Sequence, residues 1–493
     1  VTRPERRTVR HYFPVFAVLG GVLMLFSLTM IVPLVAALIG HDAGEGAYAG
    51  SMFITFTAGA ALFFGCRRPR RELQPRDGFL LVTLVWAVLP AFGMLPLLST
   101  LPELSVTDAY FEAASGLSAT GGTVLTGLEH LPLSINIWRH FMVFIGGLGI
   151  IVLAVAVLPL LGVGGSQIFK AETPGPMKDE KLTPRIAETA RGLWVVYFCI
   201  AAACMLSYRA AGMGWADAFM HMCTTVGLGG FSSNDASMGH FQSPAIEAVA
   251  IVFMLLSGIN FALYFVVWKR RSLHRLWHDI EVRAFVGLLA ASVLLVATVL
   301  TVQGVYPTFQ ESLRHAAFNV VSVATTTGYA TVDYGAWPAF APVLMLFLAC
   351  FATCAGSAGG GIKMIRAMLL VKQARRELTR ILHPRVVAPV TLRGGIVDNQ
   401  VLFSILASML IWGAVQIGAT LLLLLTGLDV VTAFTAVVAC LNNLGPGLGA
   451  VGPSGNYQGF NDFQTWVCSV LMLLGRLELL AVLVLFTAAF WRS

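Results

Sequence analysis

The sequence predicts an all-α polytopic membrane protein. It is built from four pseudo-symmetric repeats of helix, half-helix and helix around one axis, with two extra transmembrane helices ahead of them. Three observations predict this. The chain has 493 residues, of which 57% are hydrophobic and 12% charged, against about 25% charged in a soluble protein. Apolar runs of the roughly 20 residues needed to cross a bilayer recur along its whole length. A short polar motif ending in glycine occurs four times, each time after an apolar run too short to span.

The elements follow in order. Residues 1–71 hold the two leading helices. The first, Phe13–Gly40, follows a basic flank like that of a signal peptide, but its apolar core is too long for one and reads as a retained helix. Four units follow, over residues 72–168, 169–278, 279–390 and 391–493. Each starts with a full apolar run, such as Phe79–Leu98 or Phe285–Val302. Next comes a run of about ten residues, "AYFEAASGL" or "TAFTAVVACL", too short to cross. The glycine motif, a polar loop and a second full run complete the unit. Eight crossings from the units and two from the leading helices make ten.

Charge sets the orientation. Lys and Arg cluster in alternate loops: Arg3 to Arg10, "RRPRR" at 67–71, Lys170 to Arg191, "KRR" at 269–271 and Lys372 to Arg393. The positive-inside rule places these loops, and both ends of the sequence, on the cytoplasmic side. Of the 32 Lys and Arg, only Arg139, Arg209 and Arg314 then lie outside, together with 13 of the 25 acids, among them Glu112, Asp217, Asp235, Glu247 and Asp429. Such an acidic face concentrates cations at a pore mouth.

The four motifs are "SATGG" (Ser118, Ala119, Thr120, Gly121, Gly122), "TTVGL" (Thr224, Thr225, Val226, Gly227, Leu228), "TTTGY" (Thr325, Thr326, Thr327, Gly328, Tyr329) and "NNLGP" (Asn442, Asn443, Leu444, Gly445, Pro446). One such motif is ordinarily a packed helix end; four at near-equal spacing are not. Broken backbone at membrane depth is tolerated only where it is buried or lines a water-filled path. Four such loops around one axis bring their carbonyls into a ring that can replace an ion's hydration shell. Glycine supplies the left-handed angles this needs. The negative ends of the half-helices favour a cation. Oxygen ligands without a carboxylate suit a large monovalent cation better than calcium.

This four-fold unit resembles the superfamily of potassium transporters that includes Trk, Ktr and the plant HKT proteins. With "AETPGPMKDEKLTPRIAETAR" (Ala171–Arg191), "GGLGI" at 146–150 and "MLLGRLELL" at 472–480, it is similar to the TrkH branch over nearly the whole chain. The resemblance implies potassium uptake through a gated pore with a simplified filter, one glycine per repeat, which maps onto Gly121, Gly227, Gly328 and Gly445. The fourth copy departs most, with Asn442 and Asn443 in place of threonines and Pro446 after the glycine.

Two features read as gate elements. "CAGSAGGGIK" (Cys354–Lys363) interrupts a predicted helix with Gly356, Gly359, Gly360 and Gly361, then Lys363, and each glycine costs a helix about 1 kcal/mol relative to Ala. It is not a phosphate loop, because Ile362 separates glycine from lysine; the bland alternative is close helix packing. Arg476 is, apart from Glu478, the one charge between Trp466 and Trp491, and an intramembrane arginine points to function or to a structural pair. The resemblance implies an intramembrane gating loop at the first place and an arginine in the ion path at the second.

Other classes fare worse. The eight cysteines form no C-x-x-C pair or His/Cys cluster and read as packing residues. No catalytic motif supports an enzyme. A secondary transporter coupled to protons or sodium is the alternative, although such proteins usually show two inverted repeats and ionisable residues at the midplane. The expected cargo is potassium, with no covalently bound cofactor and no nucleic acid. The resemblance further implies a homodimer in the bacterial cytoplasmic membrane and a cytosolic nucleotide-binding regulatory subunit.

Overall fold

A computed structural model describes residues 12–66, 75–152, 186–272, 274–392, 395–477 and 479–491. The Arg3 to Arg10 cluster, the "RRPRR" run, residues 170–185 of the basic cytoplasmic stretch and Glu478 lie outside these residues.

The two leading helical stretches, Phe13–Gly40 and Gly44–Cys66, cross where glycines remove the side chains. A Cβ on Gly20 would meet the Gly59 carbonyl, and one on Gly59 would meet that of Gly20; small residues allow this approach between membrane helices. Their outer faces carry exposed Leu25, Phe53 and Phe64. Exposed apolar residues over whole helices are what hydrocarbon, not water, permits.

The first helices of the units are 76–100, 191–210, Ile280–Val302 and Asn399–Leu425. The half-helices are Val106–Leu117, Trp215–Gly227, Phe309–Ala324 and Val430–Leu441, of 12, 13, 16 and 12 residues. At 1.5 Å per residue, 12 residues reach about 18 Å, half a bilayer core. Three start at side-chain caps: Ser105 accepts from the Asp108 N–H, Thr308 from that of Glu311 and Asp429 from that of Thr432. Each cap satisfies an otherwise unpaired amide. The half-helices are buried along nearly their whole C-terminal two-thirds, so they form the centre of the molecule while the long helices form its wall.

The second helices differ from the expected full crossings. Among the described residues six helices are long and apolar enough to span, or eight when each of two bent pairs counts as one span, where the sequence suggested ten. In unit 2, Pro244–Ser257 and Phe261–Arg270 meet at 87°, because Asn260 caps the second piece by accepting from the Ala262 N–H at 2.8 Å. In unit 3, Phe340–Ala349 is a 10-residue stub followed by the glycine-rich break and then Met364–Leu382. In unit 4, Asp462–Arg476 ends at the arginine itself. In unit 1, Leu133–Val152 stops where the described residues stop. Three of the four inner helices thus break at one level, below the half-helix ends.

Candidate functional site

Three of the four loops after the half-helices share one backbone pattern. Ala119, Thr326 and Asn443 are left-handed, with φ of 53°, 58° and 53°, and two residues on Gly121, Gly328 and Gly445 are left-handed at 82°, 87° and 92°. Consecutive left-handed breaks turn successive carbonyls to one side. Paired hydroxyls lie just before the glycine: Ser118 Oγ to Thr120 Oγ1 at 2.6 Å, and Thr325 Oγ1 to Thr327 Oγ1 at 2.7 Å. The carbonyl after the glycine is tied back to the half-helix, Gly122 accepting from Ser115 Oγ at 2.6 Å and Tyr329 from Ser322 Oγ at 2.7 Å. In unit 4 the Tyr457 hydroxyl donates instead to the carbonyl of Gly445 itself, at 2.7 Å.

Unit 2 departs from the sequence reading. Thr224, Thr225, Val226 and Gly227 lie on the last turn of the half-helix. The two threonine hydroxyls face Tyr329 Oη, Val226 is core, and a Cβ on Gly227 would strike Val143. The left-handed residue that ends the unit 2 half-helix is Leu228, at φ 53°, so the position matching Gly121 is two further on, at Gly230, although Gly230 itself is not left-handed. The side-chain clashes close the ring. A Cβ on Gly121 would meet Gly230, one on Gly230 would meet Thr327 and Gly328, one on Gly328 would meet Leu444, and one on Gly445 would meet Thr120 and Gly121. An outer cavity of about 80 Å³ is lined by Gly121, Gly230, Gly328 and Gly445, but not by Gly227. In unit 2 the ring therefore runs through Leu228–Phe231, and its glycine is Gly230, three residues beyond the Gly227 read from the sequence.

Beneath the ring lies the glycine-rich loop. The Gly360 N–H donates to Thr326 Oγ1 at 2.8 Å, and Gly359 packs on the Thr325 carbonyl. A Cβ on Gly360 would collide with the Asn442 carbonyl. Toward unit 2, Cys354 N–H donates to the Gly258 carbonyl, Ala358 N–H to that of Ser257, and the Gly356 carbonyl accepts from Phe261 N–H. Gly356 and Gly361 are left-handed, at 72° and 78°. Lys363 Nζ donates back to the Gly359 carbonyl. The loop thus meets residues of the glycine-motif loops of units 3 and 4 and the break of unit 2.

Arg476 binds this loop to unit 1. It is 3% exposed. One Nη donates to the Ala358 carbonyl at 2.7 Å, the other to the Gly146 carbonyl at 3.1 Å, and the guanidinium lies 5.9 Å from the centre of the Trp86 ring. No carboxylate neutralises it among these partners. Its charge is held by two carbonyls and a ring face, partners that hold it without requiring that it stay.

Sequence comparison decides the family. A model of the TrkH family, described as cation transport protein, matches residues 46–493.

The chain belongs to the TrkH family.

It is 44% identical over 484 residues to the Trk system potassium uptake protein TrkH of Salmonella typhimurium, covering 98% of this chain and 100% of that one, and equally so to its counterpart in Escherichia coli K12. Trk system potassium uptake protein TrkI of Halomonas elongata is 34% identical over 494 residues, covering 100% of this chain and 99% of that one. Among solved structures, the potassium transporter TrkH from Vibrio parahaemolyticus matches with a TM-score of 0.90 and 41% identity over 98% of this chain and 100% of that one.

Several residues around the ring were not singled out as site residues in the sequence. Gly229, Gly230 and Phe231 are one group; the length of chain from the half-helix start, and the adjacent pair of glycines, were the available signals. The ion pairs are another. Of the outer arginines, Arg139 binds buried Glu112 and Arg314 binds Glu247 through both Nε and Nη2. The expected acidic face is therefore partly consumed: Glu112 and Glu247 neutralise arginines, and Asp217 accepts from Ser233 Oγ. Asp235 accepts from the Gly127 and Leu128 amides and so ties two outer loops together.

Proposed function

We propose that this chain takes up potassium through a gated pore whose filter is the backbone ring at Gly121, Gly230, Gly328 and Gly445. The observation that carries the reading is a cavity bordered by all four glycines, each placed just after a half-helix. Helix dipoles direct negative ends at the ring, and its loops offer carbonyls and hydroxyls without a carboxylate, which suits a weakly hydrated monovalent cation. Relatives are potassium uptake proteins by name, and potassium is the cargo proposed here; no covalently bound cofactor has a role.

The glycine-rich loop with Gly356, Gly359, Gly360, Gly361 and Lys363 is the plug beneath the filter, and Arg476 its latch. A closed state is the reading these contacts support: the loop meets Thr325, Thr326 and Asn442, and the arginine holds it to unit 1. A unit charge about 8 Å from the ion path repels potassium by on the order of 2 kcal/mol at an effective dielectric of about 20. The charge distribution supports a multi-pass protein of the bacterial cytoplasmic membrane with both ends of this sequence inside. The family resemblance supports a homodimer and a cytosolic nucleotide-binding regulatory subunit that would move the loop.

Potassium uptake by proteoliposomes, measured with and without a proton gradient, tests the pore reading. Uptake should follow the potassium gradient and membrane potential alone. A requirement for the proton gradient would move the protein to coupled transport.

A further inference from the structure

Nine residues before each ring glycine, the half-helices carry one residue on the face turned to the outgoing strand. The arithmetic is 121 − 112, 230 − 221, 328 − 319 and 445 − 436, giving Glu112, His221, Asn319 and Ala436. The first three are completely buried, and each bonds the strand two or three residues past its own glycine. Glu112 accepts from Thr123 Oγ1 at 3.0 Å and from the Val124 N–H at 3.2 Å. His221 Nε2 lies 3.1 Å from Ser232 Oγ. Asn319 donates to Thr331 Oγ1 at 3.0 Å and accepts from the Thr331 N–H at 3.3 Å. Ala436 has no polar group to offer.

The strut of unit 1 is charged. Arg139 donates through Nε to Glu112 at 2.6 Å and through Nη2 to Thr123 Oγ1 at 3.1 Å, and its guanidinium carbon lies 4.4 Å from the centre of the Phe231 ring. Phe231 directly follows Gly230. One fully buried ion pair therefore braces the outgoing strands of two neighbouring units. The Thr123 carbonyl also accepts from the Tyr457 N–H, whose hydroxyl holds Gly445, so the strutless unit 4 leans on the same point. Two buried charges are a poor means of stabilising a fold, since well-packed apolar residues often do as well; fixing a unique arrangement is the better-attested use.

We propose that Glu112, His221 and Asn319, with Arg139 locking the first, are positioning residues that hold the filter loops apart and so set the preference for potassium over sodium. A ring held from behind cannot tighten around the smaller ion. Charge-assisted bonds are about twice as strong as neutral ones, so the Glu112–Arg139 strut is the stiffest and Asn319 is weaker. The proposal rests on the filter reading above and deepens it.

The test is the reversal potential of the full-length protein in planar bilayers with potassium on one side and sodium on the other. The double variant Glu112→Gln/Arg139→Gln removes both charges without leaving one unpaired. It should lower the potassium-to-sodium permeability ratio roughly fivefold, about 1 kcal/mol at 1.4 kcal/mol per decade. Asn319→Ala should lower it roughly twofold, in line with its neutral bonds, and decides the matter if the double variant does not fold. Glu247→Gln/Arg314→Gln, which removes an outer ion pair that bonds no filter strand, should leave the ratio unchanged. Folded strut variants with less current but a wild-type reversal potential would make the struts merely structural and overturn the proposal. Gly328→Ser separates the two levels: if it shifts the ratio and the struts do not, the strut proposal alone fails, whereas if it does not, the filter reading fails and the struts fall with it.

Discussion

The glycine ring and the loop beneath it are both glycine-rich backbone, yet they are held in different ways. The ring is fastened from behind by side chains: Ser115, Ser322 and Tyr457 on carbonyls, Glu112 and Asn319 on outgoing amides. The loop from Cys354 to Lys363 is held chiefly by backbone bonds to broken helix ends, with the Thr326 and Thr353 hydroxyls, the Glu281 carboxylate on the Ala355 N–H and the guanidinium of Arg476 beside them. The difference teaches which of them can move. Releasing the ring means breaking many buried bonds with no alternative partners. Releasing the middle of the loop, from Ala358 to Gly360, means withdrawing one arginine and two threonine hydroxyls and exchanging a few backbone bonds for water, while the Glu281 bond to Ala355 lies outside that stretch.

The largest expected effect breaks that contrast. Deleting Ala358–Gly361 removes the loop's contacts with Thr325, Thr326 and Arg476. Basal potassium flux should rise by well over the roughly tenfold that about 1.4 kcal/mol of barrier represents. Proteoliposome flux normalised to folded protein checks this, and an unchanged flux would make the segment packing, not plug.

Arg476→Ala comes next. Loss of a charge worth on the order of 2 kcal/mol along the ion path should raise flux by roughly tenfold or more, while Arg476→Lys, which keeps the charge but loses the planar fork, should stay nearer the parent. A fall in flux for the alanine variant at equal thermal stability would remove Arg476 from the gate.

The smallest effect concerns the scaffold that aims the half-helices. Asp429 caps the half-helix of unit 4, and hydrogen bonding from Thr432 holds its carboxyl below the usual carboxylate range. Because the folded value is lowered, the stabilisation is complete above the ordinary carboxylate pKa and fades as pH falls through the lowered one. Asp429→Ala should cost about 1 kcal/mol at neutral pH, and its melting temperature should converge with the parent's in acid. Equal melting temperatures at pH 7 would show that the cap contributes nothing.

Much of this was legible in the sequence. The apolar runs, the half-length helices and the glycines at 121, 328 and 445 follow from local pattern, because membrane depth makes broken backbone conspicuous. The break at Gly356–Gly361 was legible for the same reason. In unit 2 the local pattern is deceptive: "TTVG" imitates the motif while still helical, its hydroxyls are spent on Tyr329, and the left-handed turn comes only at Leu228. The bends at Asn260 and after Arg476 follow from what those helices meet across the pore, which no local window contains. The Glu112–Arg139 pair joins residues 27 apart in sequence, and nothing local announces it.

The central claim is that the ring runs through Gly230 and not Gly227, and the pair Gly230→Ser and Gly227→Ala tests it most directly under potassium–sodium bi-ionic conditions. A side chain at Gly230 meets Thr327 and Gly328 in the ring, whereas one at Gly227 meets Val143 in the helix wall. The account predicts a lowered potassium-to-sodium permeability ratio for Gly230→Ser, and for Gly227→Ala less folded protein with an unchanged ratio. A shifted ratio for Gly227→Ala together with an unchanged one for folded Gly230→Ser would contradict it.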